Sequence, residues 1–200
     1  MKNAMVSGMA VVAFVFLGIG SADAQTNPGG RPVLAKQLAP ARGHGTIRVV
    51  SRVLQAGADM DTRFTQDGEN HNPPVTWTKG PSGTRSYAII MGDASVDRPE
   101  PIVHWAIYNL PSTADRVAED QPKKTELDNG AQQGLNFQNM AGYIGPKLSA
   151  GETHQYHIQV FALNTRLNLD PAQADRNDIV NAMKDHVLAS GDLVVTYTGK

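Results

Sequence analysis

The sequence predicts a mostly β protein: one antiparallel β-sandwich with a single peripheral helix towards the C-terminus. Three observations carry that prediction. β-branched and aromatic residues gather in short runs separated by turn formers. A single late segment has apolar residues at helical spacing. Strands do not alternate with helices, which disfavours parallel βαβ winding.

The elements follow in order. Residues 46–54 (TIRVVSRVL) read as the first strand, and 64–74 (FTQDGENHNPP) as an irregular loop rich in turn formers. Val75, Thr76 and Trp77 form a brief extended segment before the turn Gly80-Pro81-Ser82-Gly83. Strong strands are expected at 85–91 (RSYAIIM), 102–110 (IVHWAIYNL) and 153–163 (THQYHIQVFAL), and 193–198 (LVVTYT) closes the chain. The helix starts at an Asp175 cap; Ile179, Met183 and Val187 recur every four residues, with Val180 and Leu188 widening the stripe. Gly191 suits its C-terminal cap.

The N-terminus has the three parts of a secretory signal: Lys2, an apolar run from Met9 to Ile19, and the small-x-small site Ala22-Asp23-Ala24. That run is shorter than the roughly 20 apolar residues a bilayer span needs. Residues 1–24 are therefore expected to be cleaved after Ala24, leaving a periplasmic or secreted protein with no transmembrane segment. Residues 25–44, rich in Pro, Gly and Ala, read as a flexible lead-in, and 45–200 as one domain. About 176 residues suffice for a single core.

Lys plus Arg number 18 and Asp plus Glu 19, a net charge of −1, so no basic field favours nucleic acid. With no cysteine, disulfide staples, thiol catalysis and thiolate metal sites are excluded. Neither an HExxH helix nor a Gly-x-Ser-x-Gly elbow is present. No cofactor and no metal are expected.

Strict alternation sorts the polar strand residues by face. His104 shares a face with Ala106 and Tyr108, while Trp105 points the other way with Val103 and Ile107. His154 and Tyr156 share a face with Ile158 and Val160, and His157 lies opposite. Asp93 stands at the end of its strand, able to look into a mouth between loops. Asp93, His104, His154 and Tyr156 are thus candidates for a site, although periodicity alone does not bring them together. An imidazole beside a carboxylate holds its proton and can donate to an anionic oxygen. His44 and His71 are expected to be solvated, and His186 to lie on the late helix.

The ordered pieces FTQDGENHNPPVTW, SYAIIMGD, VHWAIYNLP, GLNFQNMAGYIGP, HQYHIQVFAL and HVLASGDLVVTY resemble the phosphatidylethanolamine-binding protein (PEBP) family, in its bacterial Raf-kinase-inhibitor-like branch. The likeness spans about Thr46 to Tyr197. It implies a PEBP-like β-sandwich with a small anion pocket. By position, Asp93 matches the pocket aspartate, His104 the strand histidine, His154 and Tyr156 the His-x-Tyr pair, and Gly145 and Pro146 the Gly-Pro turn at the pocket's border. There are departures. The family's Asp-Pro-Asp-Ala-Pro run is Asp93-Ala94-Ser95-Val96-Asp97 here, and Lys147 and Leu148 follow where prolines are usual. Gln66 replaces a common cysteine, and Gln155 a common arginine.

The resemblance implies a non-catalytic binding protein for a small anionic ligand, phosphate or a phospholipid head group. The alternative is a protein-interaction module that inhibits a kinase, protease or host factor through its pocket-rim loops. A metal enzyme built on Asp93, His104 and His154 ranks third. The oligomeric state, a homodimer included, is left open.

Overall fold

The computed structural model describes residues 30–43 and 45–200; the expected signal segment and His44 lie outside them. Its strands form two sheets. The larger contains β1 (Gly45–Thr46), β4 (Ser86–Asp93), β5 (Ile102–Pro111), β7 (Gln132–Gln133), β8 (Thr153–Leu163) and β9 (Val187–Thr198), in the order β1-β9-β8-β4-β5-β7. The smaller holds β2 (Val49–Val50), β3 (Val75–Trp77) and β6 (Arg116–Val117), in the order β2-β3-β6. Pairing is antiparallel except between β1 and β9. The expected mostly β sandwich is what the chain forms.

Central strand β4 is buried along its whole length because both faces of the large sheet are covered. One face, with Tyr87, Ile89, Met91, Ile158, Val160 and Val195, packs against Val49, Val75 and Trp77 of the small sheet. The other, with Ala88, Ile90, Ala106 and Phe161, packs under α2 (Arg176–Met183) through Ile179, Val180 and Met183. Outer strand β9 shows the simple alternation of a half-buried strand over its last residues, with Leu193, Val195 and Tyr197 inward.

Several expectations need correction. The first strand is split: Ile47 hands the chain from β1, beside β9, to β2 in the opposite sheet. The helix ends at Met183, not near Gly191. Lys184 leaves the helical region at ψ 135° and Asp185 adopts φ 66°, turning the chain into β9. Val187 reaches the same core as Ile179 and Met183, but from a strand, so the four-residue spacing ran on past the helix. His186 sits in that turn, its Nδ1 2.8 Å from Asn164 Oδ1. His71 is half-buried between Glu69 and Asp120.

The segment expected to be a flexible lead-in is docked from Val33 to Arg42. It carries a single helical turn, α1 (Ala35–Leu38), with Ala35 and Ala39 buried on the helix-covered face. Val33 is held between its N–H on Pro99 O at 2.9 Å and its carbonyl on Arg176 Nη2 at 2.7 Å. Lys36 Nζ reaches Asp192 Oδ2 at 2.6 Å, and that oxygen also meets His157 Nδ1 at 2.8 Å. His157 does lie on the opposite face from Tyr156, as alternation predicts, and its partner is this strap-anchoring carboxylate.

Candidate ligand-binding site

Strand pairing places Asp93, the last residue of β4, directly opposite Tyr156 of β8, with His154 two residues before it on the same face. His104 reaches them by a break in the pleat. On β5, Val103 pairs with Gly92 and Trp105 with Met91, leaving His104 as an extra residue in a β-bulge. Val103 packs on the helix side while Trp105 enters the core between the sheets. The strict alternation expected for 102–110 is therefore wrong at this point. The bulge sets the His104 ring edge-on to Tyr156, with centroids 5.3 Å apart. Without it, His104 would face the helix with Ala106 and Tyr108.

The four side chains form a polar cluster at the end of the sheet. His154 Nδ1 donates to Asp93 Oδ2 at 2.6 Å, and its Nε2 to Glu152 Oε1 at 3.0 Å. Asp93 is only 2% exposed, and its second oxygen accepts from Ser95 N at 2.8 Å. His104, 4% exposed, donates from Nδ1 to Ile144 O at 2.8 Å and packs edge-on against Phe137. Phe137 and Met140 are themselves 44% and 52% exposed.

The two imidazoles are tuned in opposite senses. Burial lowers the pKa of His104 despite the carbonyl of Ile144 and the charge of Asp93, favouring the neutral ring. With its proton on Nδ1, neutral His104 keeps a lone pair on Nε2 and is an acceptor there. Burial also pulls on His154, but the bonds and charges of Asp93 and Glu152 outweigh it and raise its pKa, favouring imidazolium. Burial, then the charge and hydrogen bond of Asp93, raise Tyr156 well above the usual phenol range, so its hydroxyl keeps its proton.

Gly145 and Pro146 lie beside this cluster and join it to the loop 64–70. Gly145 N donates to Asn70 Oδ1 at 2.6 Å, Gln66 Nε2 to Gly145 O at 2.7 Å, and Gln66 N to Pro146 O at 2.9 Å. Gln66 thus ties the loop to the turn. Gly145 is required here, since a Cβ would fall 2.5 Å from Phe64 O. Lys147 points its charge at Asp67, 3.9 Å away. On the far rim, Ala94 N donates to Gln155 O and Gln155 N donates to Ser95 Oγ, and these two bonds fix the segment after Asp93 against β8.

His154 opens on a cleft of about 570 Å³ bordered also by Arg31, Ser95, Asp97, Gln155 and Thr196. Tyr143 and Ile144 border a second, of about 530 Å³, with Gln66, Asn70, Lys123 and Met140. A larger depression of about 840 Å³ lies elsewhere, between Trp77 and the turns 79–84 and 112–115, and holds no histidine. Among the described residues no group of three His, Asp or Glu side chains is placed to hold a metal.

Sequence reasoning missed Glu152, Asn70 and Phe137. Glu152 was findable: it precedes His154 by two residues, which in an extended chain puts both on one face. Asn70 and Phe137 sit in loops, where no periodicity points to a partner.

A family model described as phosphatidylethanolamine-binding protein matches residues 50–198. The UPF0098 protein of Methanothermobacter thermautotrophicus is 36% identical over 139 residues, covering 69% of this chain and 89% of the relative. That of Aquifex aeolicus is 33% identical over 157 residues, covering 78% and 90%. The crystal structure of Escherichia coli YbcL, described as a member of the mammalian PEBP family, superposes with a TM-score of 0.71 at 25% identity. It covers 77% of this chain and 99% of that one. The fold is a β-sandwich of the PEBP class. The chain belongs to the phosphatidylethanolamine-binding protein family.

Proposed function

We propose that this chain is an exported, non-catalytic binding protein whose pocket takes a small anionic group, phosphate or a phosphate-bearing head group. The observation that carries the reading is the meeting of Asp93, His104, His154 and Tyr156 at one sheet end, where Asp93 and Glu152 raise the His154 pKa towards the charged form and Tyr156 keeps its proton. Imidazolium supplies positive charge, and the phenol a donor, to an oxyanion. Neutral His104 accepts at Nε2, which suits the P–OH of monohydrogen phosphate. His104 donates to a ligand from Nε2 only after taking up a proton. The family's description supports a phospholipid-type ligand.

Calorimetric titration with inorganic phosphate and with phosphoethanolamine tests the proposal. Saturable heat that vanishes in Tyr156→Phe combined with His154→Ala supports it. No heat with the folded wild-type protein would overturn it. Export rests on the three-part N-terminal segment. Mass analysis of the protein from a periplasmic fraction is expected to give a chain beginning at Gln25; a retained Met1 would contradict export with cleavage.

A second reading has one observation in its favour. The exposed apolar pair Phe137 and Met140 on the loop beside His104 offers a contact for a protein partner. Binding of such a partner would survive His104→Ala and His154→Ala but fail in Phe137→Asp with Met140→Asp.

A further inference from the structure

We propose that Glu152 is a built-in competitor for the anion site, its carboxylate holding the outer nitrogen of His154 that a ligand oxyanion must take. This rests on the anion reading above. An imidazolium has two N–H donors, and here both are spent, Nδ1 on Asp93 and Nε2 on Glu152. A third acceptor reaches His154 only by replacing one of them.

The two carboxylates are unequal. Asp93 is buried with both oxygens engaged, and its departure from His154 would strand a buried charge. Glu152 is half exposed, with 47% of its side chain open to solvent. It sits on the turn that Gly151 leads into β8, and its other oxygen is a long 3.4 Å from Ser149 N. Water readily solvates such a group, and an exposed ion pair is weak. Glu152 is therefore the partner that yields.

Charge points the same way. The groups facing His154 are Asp93 from β4, Glu152 from the preceding turn and His104 from β5, with Tyr156 beside Asp93, while Arg31 and Asp97, of opposite charge, border the same cleft and offset one another. With His104 neutral and Tyr156 protonated, two carboxylates flank a single imidazolium, and an incoming anion meets net negative charge. Neutralising Glu152 leaves the Asp93–His154 pair balanced. Glu152 thus sets how strongly anionic a ligand must be to bind.

Glu152→Gln keeps the size and an oxygen for the turn while removing the charge, and Glu152→Ala removes both contacts. Inorganic phosphate is titrated into wild type and each variant at pH 7 and low salt, with folding checked by amide spectra. Each variant is expected to bind phosphate about two- to tenfold more tightly than wild type, a gain that shrinks as salt rises. His154 is expected to lose its proton at lower pH in both. Equal phosphate affinity in wild type and variants overturns the role of Glu152 and leaves the anion site standing. An unchanged His154 titration overturns the contact itself. No phosphate binding by any of the three overturns the anion reading, and this inference with it.

Discussion

The Asp93 carboxylate, almost wholly buried at the end of the central strand, meets the His154 imidazole at 2.6 Å across the β4–β8 pair. Asp93→Asn keeps the shape but removes the charge that holds the ring protonated. The His154 pKa is expected to fall, read by NMR pH titration. Stability is expected to drop by about 2 kcal/mol, read by urea denaturation, because a charged hydrogen bond is lost from a buried site. An unchanged His154 titration would contradict the pairing.

The two site histidines act on stability with opposite signs. His104 has a folded pKa below its ordinary 6.5, so its contribution is full above 6.5 and is lost as pH falls through the folded value. His154 has a folded pKa above 6.5, so its contribution is full below 6.5 and is lost as pH rises through the folded value. Urea midpoints between pH 5 and 8 are expected to fall less on the acid side in His104→Gln than in wild type. In His154→Gln the alkaline-side loss should disappear.

Gly145 is a close-approach position. In Gly145→Ala the new methyl would lie 2.5 Å from Phe64 O and 2.7 Å from Thr65 Cα, both backbone atoms. The loop 64–70 must then shift, at an expected cost of about 1–3 kcal/mol. Thermal denaturation checks the cost. A variant as stable as wild type would show that the loop yields freely.

On the opposite face, Asp192 accepts from two side chains, Lys36 of the strap and His157 of β8. Lys36→Ala is expected to cost about 1 kcal/mol, since the lysine is partly exposed. Asp192→Ala should cost about 2–3 kcal/mol, because both bonds go at once. A double-mutant cycle between Lys36 and His157 is expected to be non-additive through the shared oxygen. Full additivity would mean that the carboxylate does not couple them.

Much of this architecture was readable before any coordinates. The strands at 75–77 and 153–163 are bounded by turn formers and built of β-branched and aromatic residues, and the structure keeps those limits. Asp175 caps the helix as its side chain predicts, accepting from Asn177 N and Asp178 N. The helix end was not readable, because Val187 continues the apolar spacing from a strand. The strap was hidden too: its inward residues, Val33, Ala35 and Ala39, are small, few and set among prolines and glycines. At the site, period-two reasoning grouped His154 with Tyr156 correctly but put His104 on the wrong side. A β-bulge is decided by pairing between strands, and a single strand's sequence does not reveal it. The family resemblance, which matches residues rather than faces, picked His104 regardless.

The proposed function stands on a small anion binding where Asp93, His104, His154 and Tyr156 meet. An amide-resolved NMR titration with inorganic phosphate tests it most directly. Saturable shifts are expected, centred on Asp93, His104, Gly145, His154 and Tyr156 and lost in Tyr156→Phe combined with His154→Ala. Shifts centred instead on the larger depression around Trp77 and Gly80, or none at all in a folded protein, would contradict it.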